Sequence, residues 1–332
     1  MARKQKKIQE SQEVNLTSQK VLSTGSTLLD LSISGLRFPE GGIPAGKVVE
    51  LFGPSAGGKT AIACELSASC QFNGGTVRFR DPEGRMDKQY AEIYGMDWKN
   101  IEYDQPDTVE EALKLVDVDN TNICLDIIDS SAALSTELEM TKGDTMGMRR
   151  AKVFSTEFRK LCRRVSQQNR IVVLTNQIRQ GQNMFGSTEN TPGGNAIPFY
   201  SSLRMRVGEK SRIEKIVKVK GKDIKKIRGI VSAAYIKKNS IDSPYRECLI
   251  PIIFNYGVDD VRGNIEWLYA NTDVLGTKVG YFMWEGKGYR LRPFVEFLEG
   301  EGLVDTIRQK VIQYWREIEL QVRDERKPKV RR

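Results

Sequence analysis

The chain has 332 residues, a net charge of +9, five cysteines and no histidine. The length supports one sizeable core with small appendages, and the missing histidine excludes Ser-His-Asp and Cys-His nucleophiles and His-ligated metals, leaving carboxylates as the available bases. No apolar run reaches the roughly 20 residues needed to cross a bilayer, so an unexported, cytoplasmic protein is expected, its scattered cysteines serving as buried free thiols.

Residues 1–20 are polar and without periodicity, the pattern of a flexible arm that orders on binding. Val21 to Asp30 opens the globular part, and Gly41 to Gly46 makes a tight turn. Val48 to Phe52 is a short apolar run suited to a buried parallel strand. Gly53-Pro54-Ser55-Ala56-Gly57-Gly58-Lys59-Thr60 follows and fits the phosphate-loop pattern G-x-x-x-x-G-K-[ST]; Ala61 to Gln71 has the composition of the helix that must come next. In such a loop, glycines let successive N–H groups turn toward phosphate oxygens at a helix N-terminus. Lys59 would reach the β and γ phosphates, and Thr60 would ligate Mg²⁺. A chance glycine-rich turn is the competing reading, and the flanking strand and helix weigh against it.

Further on, Thr76 to Arg80 reads as a second strand ending at Asp81-Pro82-Glu83, and Thr108 to Val118 as a helix. Ile123 to Asp129 is an apolar strand closed by a carboxylate. Met148 to Gln168 is a long amphipathic helix, and Ile171 to Leu174 is a strand leading into Thr175-Asn176-Gln177. Strands alternating with helices predict an α/β fold with a mostly parallel central sheet covered by helices. Residues 178–196 form a polar, glycine-rich stretch, and a loop of that length in a compact domain is functional or disordered. Glu209 to Lys238 carries eleven Lys or Arg against three acids and reads as a basic β-hairpin, while Val231 to Ile236 and Glu247 to Phe254 read as strands. An aromatic cluster (Tyr281, Phe282, Trp284, Tyr289) precedes helical patterns over Pro293 to Gly300 and Asp305 to Val322. The expected division is an arm over 1–20, a core over 21–258, a small C-terminal domain over 259–322 and a basic tail over 323–332.

In a phosphate-loop sheet, ligands lie beyond the carboxyl ends of the strands, where three side chains should converge. Asp129 sits where such proteins hold Mg²⁺, although an ordinary strand-end Asp has the same position. Glu83 could polarise an attacking water, a carboxylate being the expected base here; taken alone it equally suits a surface residue. Gln177 could sense the γ-phosphate and pass its presence to the polar loop, and a neutral strand-end Gln fits the position as well.

Ser23-Thr24-Gly25-Ser26, Gly53 to Thr60, Gln105-Pro106-Asp107-Thr108, Ile127-Ile128-Asp129-Ser130, Gly143-Asp144, Asn176-Gln177-Ile178-Arg179, Met184-Phe185-Gly186 and Gly193-Gly194-Asn195-Ala196 occur in one order. That order resembles the bacterial RecA recombinases over roughly residues 21–290. The resemblance implies a RecA-like phosphate-loop ATPase core that uses ATP and Mg²⁺, assembles into a helical filament on single-stranded DNA, pairs it with homologous duplex DNA and exchanges strands. It implies Glu83 as the catalytic glutamate, Gln177 as the γ-phosphate sensor, Asp87 and Tyr90 as adenine contacts, and Lys238 as a lysine reaching the ATP of the neighbouring subunit. Met140 to Arg149 resembles the family's first DNA loop, with Met146 in the place of an apolar wedge between bases. Residues 178–194, including Met184, Phe185, Gly193 and Gly194, resemble the second. Arg149, Arg150 and Arg179 are phosphate-contact candidates, although an exposed Arg on a helix is commonly a solvated face.

The chain also departs from that pattern. Ser240 replaces the second lysine of the cross-subunit pair, Gln182 stands near the site of an expected apolar wedge, and Pro198 stands where a lysine is usual beside Phe199. The arm before Val21 is about half the family's length, and a basic tail replaces an acidic one, which predicts duplex capture with less autoinhibition. Two other readings compete: a hexameric helicase or repair ATPase on the same core, and a DNA-binding accessory protein that has lost hydrolysis. The complete set of Lys59, Thr60, Glu83 and Asp129 opposes the second of these.

Overall fold

The strand that leads into the phosphate loop lies in the middle of a nine-stranded sheet. The computed structural model describes residues 20–114, 122–142, 147–183, 186–190, 195–276 and 278–322. In chain order it runs β1 (Val21–Leu22), α1 (Thr27–Ser34), β2 (Ile43–Pro44), β3 (Lys47–Gly53), α2 (Lys59–Phe72), β4 (Thr76–Arg80), α3 (Lys88–Ile93), β5 (Ile101–Asp104), α4 (Val109–Ala112) and β6 (Cys124–Ile128). It continues with α5 (Glu137–Lys142), α6 (Gly147–Val165), β7 (Arg170–Gln177), β8 (Arg179–Asn183), β9 (Gly186–Asn190), α7 (Ala196–Tyr200), β10 (Leu203–Val219) and β11 (Lys222–Asn239). Then follow β12 (Glu247–Ile253), β13 (Gly257–Val258), α8 (Asp260–Asn271), β14 (Phe282–Trp284), β15 (Lys287–Tyr289), α9 (Leu291–Gly300) and α10 (Val304–Gln321).

The sheet order is β13-β12-β11-β10-β3-β7-β6-β4-β5. From β10 to β5 every pairing is parallel, and β10 to β13 are joined antiparallel. The α/β expectation holds, and the apolar runs at β3, β6 and β7 follow from burial on both faces. Val49, Leu51, Leu125, Ile127, Ile171 and Val173 enter one apolar core with α1, α2 and the C-terminal helices. Val48, Ile128, Val172 and Leu174 enter a second with Phe154, Phe158, Leu161 and Val165 of α6 and with Ala196 and Ile197 of α7. The two sides of each strand thus have different partners, and α6 buries the stripe its periodicity predicted.

Three elements differ from the reading of the sequence. The helix expected over Thr108 to Val118 opens on a capping box between Thr108 and Glu111 but covers only Val109–Ala112. Arg80 takes the carbonyls of Ala112 (2.8 Å) and Lys114 (3.0 Å), which a longer helix would use for itself, and residues 115–118 lie outside the described residues. In the polar stretch after Gln177, β8 and β9 pair antiparallel, with Arg179 opposite Asn190 and Asn183 opposite Gly186. The basic hairpin expected over Glu209 to Lys238 extends a few residues further at its open end, its pairing running from Leu203 opposite Asn239 to Val219 opposite Lys222.

Helix α8 was not expected at all. Its buried Val261, Ile265 and Leu268 nonetheless have helical spacing, and Asp259 caps it by accepting from the Arg262 N–H at 3.1 Å. The aromatic cluster beyond it gathers on Phe294 and Phe297, with Tyr289 5.3 Å and 5.0 Å from their ring centres. Among the described residues, no helix is long and apolar enough to cross a membrane.

Candidate nucleotide site and nucleic-acid interface

At the carboxyl end of β3 the chain turns through Gly53 to Gly58 into α2. A side chain cannot replace the hydrogen of Gly53, since a Cβ there would lie 2.0 Å from the Val207 carbonyl oxygen. Gly58 has φ of +97°, and its Cβ would meet Ile252 at 2.5 Å and Ser232 Oγ at 2.8 Å. Ser232 Oγ donates to the Gly57 carbonyl at 2.6 Å, so β11 fixes the loop from the side. Close backbone approach therefore explains the glycines of the motif.

Lys59 opens α2 and folds back over the loop, its Nζ donating to the carbonyls of Pro54 (2.7 Å) and Gly53 (3.1 Å). Burial pulls its pKa down, while Asp129 and Glu83 pull the other way. Thr60, next along, donates to Asp129 Oδ2 at 2.7 Å, and Thr175 of β7 donates to Asp129 Oδ1. Burial pushes the Asp129 carboxyl above the usual carboxylate range; the two hydroxyl bonds oppose this, and the charges of Asp81 and Glu83 add to it.

Glu83 lies just past β4. Its Oε1 accepts from Ser130 Oγ at 2.6 Å, and its Oε2 pairs with Arg85 Nη2 at 2.6 Å. Asp81 shapes the turn beneath it by accepting from the N–H groups of Glu83 (3.1 Å) and Met86 (2.7 Å). Gln177 ends β7 directly opposite Gly53. Lys59, Thr60, Glu83, Asp129 and Gln177 therefore sit at the carboxyl ends of neighbouring strands β3, β7, β6 and β4, where the sequence placed them.

The donor set fits a magnesium–nucleotide. Thr60 and Asp129 offer hard oxygen ligands side by side, and Lys59 precedes Thr60 at the start of α2. Among the described residues no group of three or more His, Cys, Asp or Glu could hold a metal ion. A bound dication would also reverse the upward push on Asp129.

The remaining candidates are distributed as follows. Asp87 caps α3, its Oδ1 accepting from the Tyr90 N–H at 2.7 Å, and the Tyr90 hydroxyl lies 3.2 Å from that of Tyr94. Lys238 Nζ donates to the carbonyls of Phe199 (2.8 Å) and Pro198 (3.0 Å), at the end of α7. Arg149 and Arg150 lie in the first turn of α6 and Arg179 starts β8. Met146, Met184, Phe185, Gly193 and Gly194 lie outside the described residues, as does the basic tail.

Sequence reasoning missed Ser130 and Thr175, which hold the two carboxylates, and Asp81. It also missed Glu50, fully buried beside the loop, which accepts from Asn176 Nδ2 (3.2 Å) and Arg204 Nε (2.5 Å). The available signal was polarity out of place: Glu50 interrupts an apolar strand, and Thr175 and Asn176 extend one.

Residues 5–259 match the RecA N-terminal domain family. The chain is 34% identical over 324 residues to Protein RecA of Acinetobacter baumannii strain AYE, an alignment covering 92% of this chain and 87% of that protein. The same figures hold for Protein RecA of strain SDF. With a family match over most of its length and relatives at that identity, the chain belongs to the RecA family.

Proposed function

We propose that this protein is an ATP-dependent recombinase: it hydrolyses ATP when bound to single-stranded DNA, forms a filament on that DNA, pairs it with homologous duplex DNA and exchanges strands. The observation that carries the reading is the convergence of Lys59, the Thr60–Asp129 pair and Glu83 with Gln177, the last residue before the stretch that resembles a DNA loop.

Residues Gly53 to Thr60 would cradle the phosphates, with Asp87 and Tyr90 toward the base. Thr60 and Asp129 would hold Mg²⁺, which supplies charge neutralisation of the phosphates when bound. Lys59 offsets the charge that develops on the phosphate oxygens. Glu83, oriented by Ser130 and Arg85, takes the proton of an attacking water, and Gln177 reports occupancy of the site to residues 178–194. Lys238 serves the nucleotide of an adjoining subunit once released from the carbonyls of Pro198 and Phe199, so assembly completes the site.

On the DNA side, Arg149, Arg150 and Arg179 contact phosphates, Met146, Met184 and Phe185 contact bases, and Gly193 and Gly194 allow close backbone approach. The test is phosphate release with and without single-stranded DNA, together with strand exchange between a labelled oligonucleotide and a homologous duplex. Stimulated turnover and exchanged product support the reading, and ATP hydrolysis indifferent to DNA opposes it.

A further inference from the structure

A file of charged and polar side chains crosses the sheet beside the phosphate loop. Lys238 of β11 stands opposite Arg204 of β10, and Arg204 stands opposite Glu50 of β3. Glu50 in turn faces Leu174 of β7, so Asn176, two residues on, lies on the same side of the sheet. The contacts follow this register: Arg204 Nε and Asn176 Nδ2 both donate to the Glu50 carboxylate, and Asn176 Oδ1 accepts from the Gln177 N–H at 3.0 Å. At the other end, Lys238 Nζ holds the last carbonyls of α7.

The file lies on the side of the sheet packed by α6 and α7, beside Val48, Ile128, Val172 and Leu174. Glu50 and Asn176 are completely buried, and the Arg204 side chain is 15% exposed and lies over the Phe52 ring, 4.5 Å from its centre. Burial raises the Glu50 carboxyl above its usual range, with Arg204, Asn176 and Lys238 acting against it. Burying such groups costs more than their attraction returns in many proteins, where well-packed apolar residues serve stability equally well. Stability alone therefore does not account for the file.

Its two ends suggest what does. Gln177 is the residue from which the 178–194 stretch leaves the sheet, and α7 is the helix that follows that stretch. Hydrogen bonds join Asn176, Glu50 and Arg204 between those points, and strand pairing sets Lys238 opposite Arg204. Resting on the functional reading above, we propose that Glu50 is a positioning residue that joins Gln177 to α7 through Asn176, Arg204 and Lys238, and that this connection sets how strongly single-stranded DNA stimulates ATP hydrolysis. Binding of DNA along the 178–194 stretch would move α7 relative to β7. The file transmits that shift to the Gln177 backbone, because Arg204, Glu50, Asn176 and the Gln177 N–H are joined by hydrogen bonds, while Lys238, which holds α7, is tied to Arg204 by its place opposite it in the β10–β11 ladder.

The test uses the full chain with oligo(dT) and ATP, and reads kcat with and without DNA, KM for ATP, and Tm. In Glu50→Leu/Arg204→Met the ion pair is replaced by apolar groups. This variant is expected to melt near the parent and keep KM within about threefold. Its ratio of DNA-stimulated to unstimulated kcat should fall at least about tenfold, the scale on which small misplacements act. If it does not fold, Glu50→Gln, which keeps the shape and the bond from Asn176 but not the charge that holds Arg204, is read in the same way and should lose about tenfold in that ratio. A folded variant of either kind with the parental ratio overturns the proposal. A parent chain whose hydrolysis ignores DNA defeats the functional reading itself, a result that no variant is needed to see.

Discussion

The hydroxyl of Thr60 donates a 2.7 Å hydrogen bond to Asp129 Oδ2, joining the first turn of α2 to the end of β6. The other oxygen of the same carboxylate accepts from Thr175 of β7. One carboxylate is thus held by three neighbouring elements before any ligand arrives, which is how a preorganised cation site is built.

That arrangement predicts the effect of Thr175→Val, which keeps the shape of a fully buried side chain and removes only the hydroxyl. Asp129 should then be less well oriented, and the Mg²⁺ concentration giving half-maximal hydrolysis should rise about tenfold. A magnesium titration of steady-state phosphate release measures it. An unchanged midpoint in a folded variant would mean that Thr175 serves packing alone.

Lys59 and Glu83 should separate by kinetic signature. Replacing Lys59 with Ala removes charge from the phosphate cradle, and kcat/KM should fall by about a thousandfold or more. Glu83→Gln keeps size and hydrogen bonding but not basicity, so kcat should fall about 100- to 1,000-fold with ATP affinity held within about threefold. Ser130→Ala, which releases Glu83 Oε1, should lie between parent and Glu83→Gln, losing about tenfold. Phosphate release together with fluorescent-nucleotide titration distinguishes these patterns.

A buried acid away from the site gives a prediction in pH. Asp30 is enclosed in α1, its carboxylate accepting from the Thr24 N–H and Thr24 Oγ1, both at 2.8 Å, and from Ser23 Oγ. Burial raises its pKa from 3.8 to about 7, these bonds working against the shift and the charge of Asp260 with it. The folded state therefore binds this proton more tightly than the unfolded state. The corresponding stability is fully present below about pH 4 and is lost as pH rises to about 7. Asp30→Asn cannot ionise, so its Tm relative to the parent should be higher at pH 8 than at pH 5, by roughly 2–5 °C. Paired melting curves at the two pH values check the sign; an equal difference at both would contradict it.

The proposed nucleotide cradle was legible in the sequence because such a loop requires fixed residues at fixed spacing. Gly53 to Thr60 have to approach Val207 and Ser232 closely, and Asp129 and Glu83 have to end strands, so the pattern and the geometry share one cause. What stayed hidden came from contacts between distant segments. Arg80 takes the carbonyls that the helix after Thr108 would need, and nothing within Thr108 to Val118 announces that. Ser130, Thr175 and Asn176 are ordinary polar residues until the sheet places them beside Glu83, Asp129 and Glu50. Helix α8 has helical spacing at Val261, Ile265 and Leu268, but its apolar stripe is short and lies between a strand and an aromatic cluster with stronger patterns.

Whether DNA governs the proposed nucleotide site is decided by steady-state phosphate release from the full chain with and without single-stranded DNA, imaged in the same samples by electron microscopy. The expected result is turnover that rises at least about tenfold on DNA, abolished by Lys59→Ala, with helical filaments on the strand. Closed rings, or DNA binding with no turnover above that of Lys59→Ala, would contradict it.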